Sequence, residues 1–243
     1  ITSVIGELNG SIYVASYGGV DVRKYTPGSP DSWGTSLATL AAAATDVLNF
    51  TLNGTEYLAF AHTGGYTYTS NGTAYTADTT YATKYLTFWD GRLWGISAAG
   101  QLWFSSAIGV EVLDALLDLP SGSVQELFTG PDAIGEPILY ASTTVGLYAH
   151  DANNARFIKT GLTIPPNSNA GLGACTWNGL IYFSVGMAVY QYDPRSGVIV
   201  PMGPDQDNGV RYGTYGTTAV IEKLIPTHLW LLAQQQSSDS GIF

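Results

Sequence analysis

The chain is written in short runs where apolar and polar residues alternate, punctuated by Asn-Gly, Asp-Gly or a lone Gly. Alternation with period two predicts half-buried strands. Asn-Gly or Asp-Gly between two such strands predicts a two-residue hairpin, because both central residues must take positive φ. Three copies are plain: Leu8-Asn-Gly-Ser-Ile-Tyr-Val-Ala15 followed by Gly18-Gly-Val-Asp-Val22, Leu52-Asn-Gly-Thr-Glu-Tyr-Leu-Ala-Phe-Ala61 followed by Gly64-Gly-Tyr-Thr-Tyr68, and Phe88-Trp-Asp-Gly-Arg-Leu-Trp-Gly-Ile96 followed by Gly100-Gln-Leu-Trp-Phe104. A fourth replaces the Asn-Gly turn with Gly135-Glu-Pro-Ile-Leu-Tyr-Ala141, then Val145-Gly-Leu-Tyr148. The fifth is Trp177-Asn-Gly-Leu-Ile-Tyr-Phe183 with Gly186-Met-Ala-Val-Tyr-Gln-Tyr192, and the sixth Pro226-Thr-His-Leu-Trp-Leu-Leu-Ala233 with Gly241-Ile-Phe243.

Glycines at the second turn, Gly19, Gly65, Gly100, Gly146, Gly186 and Gly241, lie 46, 35, 46, 40 and 55 residues apart. A fourth strand is expected after the third, in Thr69-Ser-Asn-Gly-Thr-Ala-Tyr75, His150-Asp-Ala-Asn-Asn-Ala-Arg-Phe-Ile158 and Asp193-Pro-Arg-Ser-Gly-Val-Ile-Val200. A repeated four-stranded antiparallel unit of this length predicts an all-β fold, a β-propeller of about six blades with the last incomplete. A β-sandwich seldom repeats one hairpin pattern in this way, and β-helix coils are shorter. The blades are placed roughly at 1–44, 45–81, 82–121, 122–166, 167–205 and 206–243, in one propeller domain or segment. Two stretches, 36–44 and 110–117, carry helical signals and are candidates either for outer strands or, in their place, for short helices that decorate the rim.

Composition narrows the function classes. Of 243 residues 45% are apolar, enough for a core, while only 12% are charged and the net charge is -10. No basic surface is available to follow a phosphate backbone, so nucleic-acid binding is excluded as an expectation. No apolar run is long enough for a membrane helix. The single cysteine, Cys175, cannot make an intrachain disulfide and sits in an apolar run that suits burial. A surface of Thr, Tyr, Ser, Asn and Gly with four lysines suggests a virion or extracellular location. The chain starts at Ile1 and stops within an apolar pattern, so it is expected to be an excerpt of a longer polypeptide.

Tyr85-Leu-Thr-Phe-Trp-Asp-Gly-Arg-Leu-Trp-Gly-Ile-Ser97 with Gln101-Leu-Trp-Phe-Ser-Ser106, and likewise Val189-Tyr-Gln-Tyr-Asp-Pro-Arg-Ser-Gly197, resemble blades of propellers in tail or neck proteins of tailed bacteriophages. The resemblance implies a structural or receptor-facing role in a virion, and it brings no catalytic residues with it.

Candidate chemistry is sparse. The three histidines, His62, His150 and His228, have no metal-site spacing, and no nucleophile elbow accompanies His150-Asp151. Glycosidase chemistry needs two facing carboxylates; Asp46, Glu56, Asp90, Glu126, Asp132 and Glu136 are candidates, and no spacing selects a pair. Ser237-Ser-Asp-Ser-Gly-Ile-Phe243 partly resembles the Asp-box turn of sialidases, whose carboxylate-binding arginines would have to come from Arg23, Arg92, Arg156, Arg195 and Arg211. Asp205-Gln-Asp-Asn-Gly209 sets Asp205 and Asp207 as a calcium loop might, although the Gly comes one position early and no bidentate Glu follows. Asn49-Phe-Thr51, Asn53-Gly-Thr55 and Asn71-Gly-Thr73 match a glycosylation sequon, as Asn-Gly turns in a Thr-rich chain do by chance. Trp94, Trp103, Trp177 and Trp230 are expected between blades, and Trp33, in Pro27-Gly-Ser-Pro-Asp-Ser-Trp-Gly34, is the candidate surface residue for stacking on a ligand.

The expected function is noncatalytic: a structural or recognition propeller that presents loops for virion assembly or host-surface contact, with no required cofactor and calcium as the alternative. Its expected partners are other virion or surface proteins, a cell-surface glycan and further copies of itself. The alternatives are a carbohydrate-binding or carbohydrate-active propeller and a protein-interaction scaffold.

Overall fold

The computed structural model describes residues 3–16, 20–28, 32–114, 119, 124–151, 156–162, 170–185, 188–202, 220–225, 230–234 and 240–242. All regular elements among them are strands. The chain divides into two compact units, Ile1–Ala115 and Leu116–Phe243.

In the first unit, sheet 1 joins β1 (Ser3–Leu8), β2 (Ser11–Ser16) and β3 (Asp21–Thr26), and two short strands, β4 (Ser32–Trp33) and β5 (Ala38–Thr39), both pair with β3. Sheet 2 comprises β6 (Ala44–Leu52), β7 (Thr55–His62), β8 (Gly65–Thr69) and β9 (Thr76–Asp78). Sheet 3 comprises β10 (Tyr85–Trp89), β11 (Arg92–Ile96), β12 (Leu102–Ser105) and β13 (Glu111–Leu113). In the second unit, sheet 4 contains β14 (Val124–Pro131), β15 (Pro137–Thr143), β16 (Gly146–Asp151) and β17 (Arg156–Lys159). Sheet 5 contains β18 (Cys175–Trp177), β19 (Leu180–Val185), β20 (Ala188–Asp193) and β21 (Val198–Met202). Sheet 6 has three strands, β22 (Val220–Ile225), β23 (Trp230–Gln234) and β24 (Ser240–Ile242). All neighbouring strands are antiparallel, and sheets 2 to 6 follow chain order from first strand to last.

The hairpins form where the dipeptides predict them. Asn9, Asn53, Asp90 and Asn178 have φ of 49°, 51°, 50° and 49°, and the glycines that follow have φ of 71°, 78°, 67° and 73°. Both central residues of each turn are thus left-handed, the conformation whose twist matches the flanking strands. Sheet 4 lacks that dipeptide and uses a longer loop, in which Asp132 Oδ1 accepts the N–H groups of Ile134 and Glu136 at 2.8 and 2.9 Å.

Within each unit the sheets bury their faces on one another. Leu8, Tyr13, Val22, Leu58 and Phe60 fill the layer between sheets 1 and 2. Phe50, Tyr66, Leu86, Leu93 and Trp103 fill the next. In the second unit Phe128, Tyr140, Leu147, Ile181 and Phe183 lie between sheets 4 and 5. Fully burying such a side chain contributes about 1.5–3 kcal/mol. Polar ties sit at the layer edges. Asn9 Nδ2 donates to the Ser70 carbonyl at 3.4 Å and Asn53 Nδ2 to the Ser106 carbonyl at 3.1 Å, so the turn of one sheet holds the next. Thr45 Oγ1 donates to the Lys84 carbonyl at 2.7 Å, and Thr176 Oγ1 to the Thr129 carbonyl at 2.7 Å. The last strand of sheet 5, β21, is largely exposed and contains Pro201, tolerated where the missing N–H would face away from the neighbouring strand.

Two expectations need correction. Neither 36–44 nor the described part of 110–117 is helical: Ala38–Thr39 is β5, Ala44 opens β6, and Glu111–Leu113 is β13, while 115–117 lies outside the described residues. Leu37 and Leu40 donate N–H groups to the carbonyls of Val22 and Val20 at 2.8 and 2.7 Å, so pairing with a neighbouring strand overrides the helical preference of alanine. The fourth strand of sheet 2 also starts later than expected, at Thr76, because Asn71 Oδ1 accepts the N–H groups of Thr73 and Ala74, each at 2.9 Å, and holds that stretch in a turn.

Candidate functional site

Sheet 1 departs from its neighbours at its outer edge, and that is where Trp33 stands. Tyr25 pairs with Trp33 and Thr26 with Ser32, and the Gly34 N–H donates to the Lys24 carbonyl at 2.9 Å, which fixes β4 against the end of β3. Cross-strand partners point to one face, and the Tyr25 and Trp33 rings lie 5.4 Å apart, tilted by 59°. Trp33 remains 45% exposed. Arg23 and Asp21 precede Tyr25 at two-residue steps, so they share its face. The Arg23 guanidinium lies 3.5 Å from the Asp21 carboxylate and donates to the Gly34 carbonyl at 3.4 Å, and Ser36 Oγ donates to Asp21 Oδ1 at 3.0 Å. An aromatic face bordered by donors and acceptors whose charges offset each other suits a polar, uncharged ring: stacking on the indole, hydroxyls on the ionic pair.

The carboxylates singled out in the sequence are mostly committed to the scaffold. Asp46 is buried, and its Oδ2 accepts the Leu86 N–H of sheet 3 at 3.0 Å. Glu126 is buried, with Oε1 3.4 Å from the Leu127 N–H. Both follow a bulge in the first strand of their sheet, after Ala44 and after Val124. Glu56 Oε1 accepts the Asn49 side chain at 2.8 Å, Asp90 forms a hairpin turn, and Asp132 braces the loop that ends at exposed Glu136.

A contact the sequence reading missed joins Tyr66 and Glu111. Tyr66 donates its hydroxyl to Glu111 Oε1 at 2.5 Å, and the Tyr66 oxygen accepts the Gly109 N–H at 3.3 Å. Burial is the main cause that pushes Glu111 above the usual carboxylate range; Asp78 adds to it and the Tyr66 hydrogen bond opposes it. Burial and Glu111 together push the Tyr66 hydroxyl far up. No sequence signal pairs Tyr66 with Glu111, which stand 45 residues apart and meet only across sheets.

His62 is fully buried; its Nε2 lies 3.1 Å from Thr67 Oγ1, its Nδ1 has no hydrogen-bond partner, and burial lowers its pKa. His150 is buried beside Phe157, while His228 lies outside the described residues. Among the described residues no three His, Cys, Asp or Glu side chains group as a metal site, and Asp205 and Asp207 lie outside them. Arg23 meets Asp21, Arg92 lies 4.9 Å from the Phe104 ring centre, and Arg195 Nε is 3.0 Å from Asp193, which it holds below the usual carboxylate range. Arg211 and most of the Asp-box stretch lie outside the described residues. Trp94 and Trp103 are buried as expected, Trp177 is half-buried, and Cys175 is buried.

No protein-family model and no curated protein matches the sequence. Solved structures do match. Virginiamycin B lyase from Staphylococcus aureus superposes with a TM-score of 0.65 at 10% identity, over 99% of this chain and 83% of that one. The extracellular domain of BT4673 from B. thetaiotaomicron gives 0.68 at 14% identity, over 98% of this chain and 32% of that one. The extracellular domain of BT3049 from the same organism gives 0.65 at 12% identity, over 97% of this chain and 32% of that one. The chain thus spans about a third of the length of the two B. thetaiotaomicron structures. Among the described residues no helix is long and apolar enough to cross a membrane. Consecutive four-stranded meanders, stacked face to face within each unit, together with these likenesses identify the fold as an all-β β-propeller.

Proposed function

We propose that the chain is a noncatalytic recognition propeller, carried on a virion or another extracellular surface, that grips a neutral surface glycan with the Trp33 face of sheet 1. The observation that carries this reading is the exposed Trp33 against Tyr25, flanked on one strand face by Arg23 and Asp21. Extracellular domains among the matched structures and the sequence resemblance to phage tail and neck propellers support the location. A glycan array followed by titration of a positive sugar tests it. Trp33→Ala should weaken binding by up to about tenfold, the loss of one good stacking contact of about 1.5 kcal/mol, with an unchanged melting temperature. No binding by the wild type, or equal binding by the variant, overturns the proposal.

Turnover of a chromogenic glycoside, abolished by one carboxylate substitution, would replace the noncatalytic reading with a carbohydrate-active one.

A further inference from the structure

The strand register of sheet 1 extends the Trp33 face across the whole sheet. Ile5 pairs with Val14 and Val14 with Arg23, so these three form one row over β1, β2 and β3. Glu7 pairs with Ile12, and because Tyr13 pairs with Lys24, the next step of that register sets Ile12 beside Tyr25, which pairs with Trp33. The second row therefore runs Glu7, Ile12, Tyr25, Trp33 over four strands. Both rows lie on one face, since paired residues and residues two apart along a strand share a side. Ile5, Ile12 and Trp33 are 59%, 41% and 45% exposed, and Val14 and Tyr25 are half-buried. The opposite face of the same strands carries Tyr13 and Val22 into the layer with sheet 2, so the aliphatic side chains around Ile12 are not part of that core. They form a shelf that abuts both the aromatic pair and the Asp21–Arg23 ion pair.

We propose that the glycan gripped by Trp33 carries a methyl group, as an acetamido or 6-deoxy sugar does, on the ring next to the stacked one, and that this methyl rests on Ile12. The inference rests on the glycan-binding role proposed for the Trp33 face and names the class of sugar it selects. Strands lie about 4.8 Å apart, so Ile12 is roughly 10 Å along the row from Trp33, beyond the substituents of a ring stacked on the indole and under the ring that follows. Hydroxyls laid on Ile12 and Val14 would be taken from water with no partner offered in exchange, which is unfavourable. A methyl group in the same place loses only apolar contact with water, which is favourable. The exposed Glu7 carboxylate at the far end of the row sets a like charge against an acidic sugar, which keeps the preference with neutral glycans.

The test is a glycan array of matched neutral oligosaccharides, each pair differing only in an acetamido or a 6-deoxy group, read with the full chain and followed by titration of the pairs that bind. The wild type should bind the methyl-bearing member about fourfold more tightly, the gain expected for one buried methyl group. Ile12→Thr, which keeps a β-branched side chain in the strand but puts a hydroxyl on the shelf, should bring that ratio close to one. Trp33→Ala should weaken both members of a pair and keep their ratio. A preference confined to the acetamido pairs or to the 6-deoxy pairs, and lost in Ile12→Thr, supports the shelf and tells which sugar supplies the methyl. Equal binding of both members by the wild type, or a preference that survives in Ile12→Thr, overturns the shelf and leaves the glycan-binding role standing. Binding of no member overturns both. The wild-type ratio needs no variant, so it decides the matter even if Ile12→Thr does not fold.

Discussion

Sheets 1 and 2 are built from nearly the same hairpin, Asn-Gly between alternating strands, yet they use their aromatic residues in opposite ways. Sheet 2 lies between two others in its unit, and Phe60 and Tyr66 are lost to solvent in the layers on either side. Sheet 1 buries Tyr13 on one face and leaves Ile5, Ile12 and Trp33 exposed. The difference teaches that the hairpin code sets the strand but not the use of its side chains. Coverage by neighbouring sheets decides whether an aromatic ring is core or contact.

The sharpest test removes one indole from each environment. Trp103 is stacked on Tyr66 at 5.3 Å and donates to Thr83 Oγ1 at 3.2 Å inside the layer between sheets 2 and 3. Trp103→Ala should cost about 3–5 kcal/mol in urea denaturation. Gly72→Ala comes next, because Gly72 has φ of 71° and an added methyl would lie 2.0 Å from the Tyr13 hydroxyl of sheet 1. About 1–3 kcal/mol should be lost by the same measurement, from overpacking and backbone strain together.

Asn53→Asp separates the two jobs of a turn residue. Aspartate keeps the left-handed turn, as Asp90 does, but has no N–H to donate to the Ser106 carbonyl. The expected loss is about 1 kcal/mol, and the longer Asn9 bond should make Asn9→Asp milder. His62 gives a pH signature for the covered sheet. Its pKa is lowered by burial, so the stability it contributes is present above the ordinary value of 6.5 and is lost as pH falls towards the lowered one. The slope should shrink in His62→Gln, followed by melting temperature against pH. Trp33→Ala should change stability least, within about 0.5 kcal/mol.

What was legible in the sequence was local. Asn9-Gly10, Asn53-Gly54, Asp90-Gly91 and Asn178-Gly179 read as hairpins because a turn's backbone demand falls on the two residues that make it. Trp33 was readable as a surface residue because Pro and Gly around it prevent a long, covered strand. Tertiary terms were not legible. The alanine-rich 36–44 stretch met hydrogen-bonding partners on β3 that its own composition does not announce. Tyr66 and Glu111 are 45 residues apart in the chain and join only because two sheets are laid side by side.

Pro201 has a consequence for the molecule's behaviour in company. An uncovered last strand rich in valine and isoleucine is a template on which a neighbour's backbone can continue the ladder, the first step toward fibres. At Pro201 an incoming carbonyl finds a ring carbon where it needs a hydrogen, so the template fails midway. One imino acid thus keeps a greasy rim from recruiting chains end on end at high local concentration.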